Sequence, residues 1–269
     1  VAESVIGENG ERVLGQLWVP SASQLTLIAQ WPHAEDFQLA TIAELLASDV
    51  PARRDQPVKL RGRVTAIGAD GHFTLGDSGA FYGYTSADGI AWKQIGAPIE
   101  LAMSQSVEVG LVVSSRSTET AATAVFDRVE GLPAEPDHAA VGGPLPFGAY
   151  QNRNGRVTLT GSGHDMWISP DQFYFAHRPL VGAGEIVARI AAFATNEEWA
   201  KAGLMIRESL APDAQFVDLV QTGAHGCCLQ WRKTAEGSAP LSTSNDAVRT
   251  PQWLKLARRF NTVRVATAQ

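Results

Sequence analysis

Short apolar runs that alternate with polar residues, each closed by glycine, proline, asparagine, aspartate or serine, most narrow the folds open to this chain. Val107, Val109, Leu111 and Val113 are one such run, and similar ones occupy 16–19, 26–29, 58–61, 123–126, 156–159, 185–190, 216–220, 228–231, 253–256 and 262–265. A period of two sends successive side chains to opposite faces of a strand. Many short strands at such spacing read as an antiparallel sandwich or barrel. With 25 glycines and 14 prolines there are enough turn formers to join them. Two segments have helical character. Phe37, Ala40, Ile42, Leu45 and Leu46 make an apolar stripe across 37–48, with Pro51 close behind, and 197–202 has room for one turn. The expected class is all-β.

Composition excludes several functions. The 269 residues are 45% hydrophobic and only 19% charged, enough to bury a core and too weakly charged for a disordered tail protein. The formal net charge of −6 comes without any basic stripe, so nucleic acid is not an expected partner. No apolar run approaches the roughly 20 residues of a membrane-spanning helix, and direct membrane insertion is not expected. No charged region followed by an apolar one opens the chain, so any signal peptide is expected to have been removed already. The two cysteines are the neighbours Cys227 and Cys228, read as small apolar residues of one strand; no zinc-type Cys/His spacing exists.

A stiff stretch at 132–146, with Pro133, Pro136, Gly142, Gly143, Pro144 and Pro146, reads as a linker or long surface loop. The divisions expected are 1–79, a small β-rich module with one helix; 80–131, closing strands of a sandwich; the linker 132–146; and 147–269, the main part of that sandwich. Residues 75–88 also lie over 256–269 without a gap, as strand, turn and strand. After Asp88 the chain turns through Gly89 into a strand with Trp92; after Gln269 it stops, in mid-pattern.

The run from Gly161 to Trp167 is followed by Asp171, Gln172, Phe173 and Phe175, then by Gly182, Gly184, Glu185 and Arg189. Trp199, Lys201, Gly203, Met205, Arg207, Glu208, Ser209, Gln230, Trp231, Arg232, Trp253 and Lys255 continue the pattern. Residues 147–269 thereby resemble the first two-thirds of the concanavalin A-like, laminin-G-like jelly-roll sandwiches of bacterial secreted and surface proteins. That family closes with a tyrosine strand, a Ser-x-Asp-Gly turn, a tryptophan strand, a Val-Gly-Leu strand and a Phe-Asp strand. Here those elements lie upstream, at Tyr84, Ser86 to Gly89, Trp92, Val109 to Leu111, and Phe126 with Asp127. The chain is then either a cut from a tandem array, or 80–131 completes 147–269, within the chain or by strand exchange between copies. Completion is favoured, because two-thirds of a sandwich would expose long unpaired edges. A second, weaker resemblance covers 37–79. Leu60, Gly62, Val64, Phe73, Leu75, Asp77 and Gly79 are similar to an OB-like segment found in some bacterial membrane sensor kinases.

Glu197, Glu198, Asp213 and Asp218 can be read as glycosidase carboxylates or as solvated loop charges, and the second reading is preferred. Ser162, His164 and Asp165 lack a nucleophile elbow and read as a turn. In the strand after Gly203, alternation sends Leu204, Ile206 and Glu208 to one face and Met205, Arg207 and Ser209 to the other. Arg207 is then an ion-pair member or a contact to ligand on a concave face. Trp167, Trp199, Trp231 and Trp253 are the candidates for stacking a sugar ring, and Trp199, in the polar loop with Asn196, is the expected exposed platform. Trp231 and Trp253 read more readily as core. The expected ligand-binding residues are Trp199, Asn196, Arg207, Trp231 and Arg232. No cofactor is expected; Asp165, Asp171 and Asn196 are the oxygen donors that calcium would use, without any EF-hand spacing. These readings imply a non-catalytic recognition module outside the cytoplasm, binding carbohydrate or a cell-surface ligand. The alternatives are a sensor-kinase ectodomain and an adhesive module that self-associates by strand exchange.

Overall fold

The computed structural model describes residues 2–6, 12–17, 39–40, 59–60, 63–67, 73–76, 79–143, 145–234, 241–245, 249–260 and 262–265. Their strands begin with β1 (Ala2–Ile6), β2 (Arg12–Leu17), β3 (Leu39–Ala40), β4 (Lys59–Leu60), β5 (Arg63–Ile67), β6 (Phe73–Gly76) and β7 (Ala80–Ser86). Next come β8 (Lys93–Glu100), β9 (Ser106–Ser114), β10 (Ser117–Glu130), β11 (Asp137–Val141), β12 (Gly148–Arg153), β13 (Arg156–Gly163) and β14 (Phe173–Val181). The last are β15 (Gly184–Ala194), β16 (Lys201–Arg207), β17 (Phe216–Thr222), β18 (Cys227–Arg232), β19 (Leu241–Asn245), β20 (Gln252–Arg259) and β21 (Thr262–Val265). The described residues contain no helix, and none long and apolar enough to cross a membrane.

The chain divides into two compact units, 1–40 with 49–60 and 41–48 with 61–269. In the first, β1 pairs with β2 antiparallel and β3 with β4 parallel. The helix expected over 37–48 lies outside the described residues, apart from Leu39 and Ala40 in β3. In the second unit, two antiparallel sheets of seven strands face each other as a sandwich, an all-β architecture compatible with a jelly roll. The first sheet runs β12-β13-β10-β15-β20-β7-β8, the second β11-β14-β9-β16-β17-β18-β19.

Alternation explains the layers. Val107, Val109, Leu111 and Val113 of β9, Leu204 and Ile206 of β16, and Val217 and Leu219 of β17 point into the main core. They meet Phe81, Phe126, Leu159, Ile186, Leu254 and Leu256 from the first sheet. The opposite parity of the second sheet is covered as well. Val112, Phe173, Phe175, Met205, Phe216, Val220 and Cys228 form a second cluster on its outer face, joined by Met166 from the β13–β14 loop. Strands β16 and β17 are therefore buried on both faces. Cys227 and Cys228 follow the same rule, one in each cluster, and burial raises the Cys227 thiol pKa above its ordinary value.

Residues 80–131 and 147–269 interleave within this one chain. β10 lies between β13 and β15, β9 lies between β14 and β16, and β7 pairs with β20. The stretches aligned as a repeat, 75–88 and 256–269, pair with each other, with Gly83 opposite Leu256 and Leu75 opposite Val263. Each leaves the first sheet for a three-stranded sheet, β21-β6-β5, which explains their shared strand–break–strand pattern. β5 and β6 fall in the compact unit that holds the two large sheets.

The stretch 132–146, expected as a linker, carries β11, an edge strand that pairs with β14 and buries Val141. Its prolines flank the hydrogen-bonded residues, as edge strands allow. The single turn expected at 197–202 reduces to a tight turn closed by Ala200 N–H donating to Glu197 O, after which β16 begins. The Ser86-Asp88-Gly89 turn is strongly built. Asp88 Oδ1 accepts from the N–H groups of Ile90 and Ala91 and from Ser86 Oγ, which holds its pKa below the ordinary carboxylate value.

Candidate functional site

A cleft of about 420 Å3 opens over the outer face of the second sheet, lined by Arg116, Asp165, Trp167, Trp199, Lys201, His225, Cys228, Gln230 and Ser244. The topology places them together. Lys201 opens β16 opposite Ser114 of β9 and Thr222 of β17, so the β9–β10, β15–β16 and β17–β18 connections converge at one end of the sheet. Those connections supply Arg116, Trp199 and His225; the β13–β14 loop adds Asp165 and Trp167. Cys228 of β18 lies opposite Ser244 of β19 on the floor, and Gln230 is two residues further along β18.

Trp199 is 44% exposed and its ring lies 3.8 Å from that of His225, at 17°. His225 Nε2 in turn lies 3.3 Å from Glu198 Oε2, so one face of the indole is braced by the imidazole. Lys201, buried, donates to Asp165 Oδ1 and stands 5.7 Å from the centre of the Trp167 ring. Arg116 Nη1 donates to Asp165 Oδ2 at 3.0 Å, and Met166 N–H donates to Oδ1 at 2.7 Å. Gln230 is buried, and its Oε1 has no hydrogen-bond partner.

Asp218 lies opposite Gln230 on β17, fully buried, with neither carboxylate oxygen hydrogen-bonded. Its reading as a solvated charge, alongside Glu197 and Glu198, is thereby corrected: β17 is covered on both faces, so its acid has no water. Burial holds its pKa well above the ordinary value. Asp171 and Asp165 raise it further, while Lys201 and Arg232 oppose the shift. A carboxyl that keeps its proton in the folded state contributes stability fully present below its unfolded pKa, near 3.8, and lost as pH rises toward the folded value. Asp218→Asn should therefore stabilise the protein at neutral pH, by about 1–3 kcal/mol. Urea unfolding from pH 3.5 to 8 checks it; a wild-type/variant difference that does not change with pH would refute the assignment.

The other expected site residues are scattered. Arg207 and Arg232 do meet, but beneath the surface. Both are fully buried on Asp171 of the β13–β14 loop, with Arg232 Nη1 and Nη2 donating at 2.9 and 2.5 Å, and Arg207 Nη1 and Nη2 at 3.4 Å. Their rings of contact are Phe173, 5.0 Å from Arg207, and Phe216, 4.9 Å from Arg232. Burial pushes Arg207 down to about 10 and raises Asp171, whose arginines oppose that rise. Of the two readings of Arg207, the ion pair is the one realised, and neither arginine presents a surface to ligand. Trp231 packs against the main core with its Nε1 buried and unpartnered, so it belongs to the opposite face from the cleft. Asn196 is exposed in the loop before Trp199 and does not line the cleft.

Of the three oxygen donors considered for calcium, Asp165 and Asp171 are taken up by Lys201 with Arg116 and by Arg207 with Arg232. Among the described residues, no group of three or more His, Cys, Asp or Glu side chains is arranged to hold a metal. The turn expected around Ser162, His164 and Asp165 is corrected in part: Gly161 to Gly163 are the last residues of β13, and Ser162 Oγ donates to Phe147 O and accepts from Phe147 N–H. Arg116, Lys201, His225, Cys228, Gln230 and Ser244 are the lining residues that sequence reasoning did not place at a site. Only Lys201, a charge at the head of an apolar strand, left a signal there. No family model matches this chain, and no curated protein or solved structure is significantly similar to it.

Proposed function

We propose that the protein is a non-catalytic recognition module acting outside the cytoplasm, and that the cleft over the second sheet binds carbohydrate of a glycan or cell surface. The observation that carries this reading is the Trp199 indole, 44% exposed and braced by His225 at the lining of the cleft. A sugar presents an apolar C–H face that stacks on indole and hydroxyls that polar side chains of the lining, such as Arg116 and Ser244, can bond. The cleft volume falls within the roughly 300–1,000 Å3 typical of ligand pockets. The two-sheet sandwich is compatible with the concanavalin A-like, laminin-G-like resemblance of 147–269 with 80–131, and that resemblance supports the extracytoplasmic setting. Binding is favoured over turnover because Asp218, the acid with the strongly raised pKa, does not line the cleft. Glu197 and Glu198 are exposed and outside it as well.

A glycan array read with wild type and Trp199→Ala is the direct test. Loss of a stacking platform at the centre of a small site should weaken binding about ten- to a hundredfold. No glycan bound by the wild type, or equal binding by both proteins, would sink the reading.

A further inference from the structure

We infer that the cleft selects a carboxylated sugar, a hexuronate unit of an acidic glycan, and that Arg116 is the residue that receives the carboxylate. This inference rests on the carbohydrate reading of the same cleft and narrows it to one chemical class.

Among the lining residues, one carboxylate faces two cations. Lys201 is 2% exposed and bonds Asp165 Oδ1 directly, so that pair is closed. Arg116 reaches the other oxygen, Oδ2, through Nη1 alone, and its side chain is 45% exposed. Among the described residues its Nε and Nη2 have no hydrogen-bond partner. The guanidinium thus offers two donor nitrogens, Nε and Nη2, at the cleft, beside a carboxylate whose charge Lys201 already answers. The remaining lining residues, Trp167, Trp199, His225, Cys228, Gln230 and Ser244, add no negative charge. Asp218, under the floor, is held toward its neutral form by burial. Glu198 stands outside the lining on His225, with its side chain 73% exposed.

The backbone at Arg116 adds an independent observation. Its φ is +63°, a left-handed conformation that L-residues with a side chain adopt only at a cost. The β9–β10 connection imposes it: Ser115 Oγ donates toward Ser117 O and Thr120 O, and Ser117 N–H donates to Ser115 Oγ. Glycine or asparagine would suit this position better. The residue present is the one whose side chain reaches the cleft, and strain of this kind concentrates at functional sites. A planar guanidinium with two unspent donors matches a carboxylate in a way that an ammonium or an amide cannot.

The test is isothermal titration of the intact chain with oligogalacturonate, oligoglucuronate and oligomannuronate, each beside its methyl ester, which keeps the ring and removes the charge. At least one acid form should bind about ten- to a hundredfold more tightly than its ester. Arg116→Gln should abolish that preference, read as the acid-to-ester affinity ratio within the variant itself, a ratio that a general loss of affinity or of stability would not move. Arg116→Lys, which keeps the charge and loses the fork, should fall between. Equal affinity for every acid and its ester, binding of none of the acids, or an acid preference unaltered in Arg116→Gln would each overturn the inference. Tight Trp199-dependent binding of neutral glycans alone would overturn it and leave the carbohydrate reading intact. Absence of binding to acidic and neutral glycans alike would overturn both.

Discussion

A polypeptide limited to residues 147–269 is expected to show no cooperative unfolding transition on its own, and to regain one when a peptide of residues 80–131 is added. β9 and β10 are interior strands, and without them β13 and β14 each part from the rest of their sheet. Phe81, Leu111 and Phe126 leave the main core with them. Truncating one such residue costs about 3–5 kcal/mol, against a total stability of about 5–15 kcal/mol for a native domain. The orphaned edges would also present unpaired backbone N–H and C=O groups to solvent or to other chains. Circular dichroism melts of the fragment, alone and mixed, check the expectation. A sharp two-state melt of 147–269 by itself would show that its strands pair in some other order.

Asp171→Asn is the second change expected to act strongly. It should lower stability by about 3–5 kcal/mol, because it leaves Arg207 and Arg232 charged and uncompensated in a place without water. The site is a tight one. Asp171 is fully buried, both arginines are at most 1% exposed, and Arg207 also donates to Ala211 O and Ser209 O. Replacing all three members by apolar residues of similar volume should recover much of the loss, since a buried ion cluster is not stronger than good apolar packing. Urea denaturation of the single and triple variants separates the cases; a single variant within 1 kcal/mol of wild type would mean that the arginines have found other partners or water. The cleft lies toward the opposite end of β16, so glycan affinity of any folded Asp171→Asn protein should be unchanged.

Much of the fold was legible in the chain. The alternation at Val107 to Val113 gave the inner face of β9 correctly, and that at 204–207 separated Leu204 and Ile206 from Met205 and Arg207 as observed. The Asp88-Gly89 turn and the exposure of Trp199 were also readable, because each depends on its immediate neighbours. Other features were not. β11 was hidden among prolines that merely flank it, and a two-sided strand such as β17 carries Asp218 with no local mark that its outer face is covered. Arg116 reads as an ordinary turn residue until β9 and β16 are placed side by side.

The sequence by itself determined the all-β class, the positions of most strands and which side chains share a face, since these follow from a backbone period of two. Only the tertiary structure decided which strands are neighbours, what covers the outer face of the second sheet, and which charges meet there. Ladder partners such as Phe126 and Val157, or Gly83 and Leu256, are brought together by the fold from distant parts of the chain. The environment of Asp171, Asp218 and Arg116 is set by loops equally remote. A local pattern fixes the direction in which a side chain points; whether it meets water, a counter-charge or an open cleft depends on what the rest of the chain lays over it.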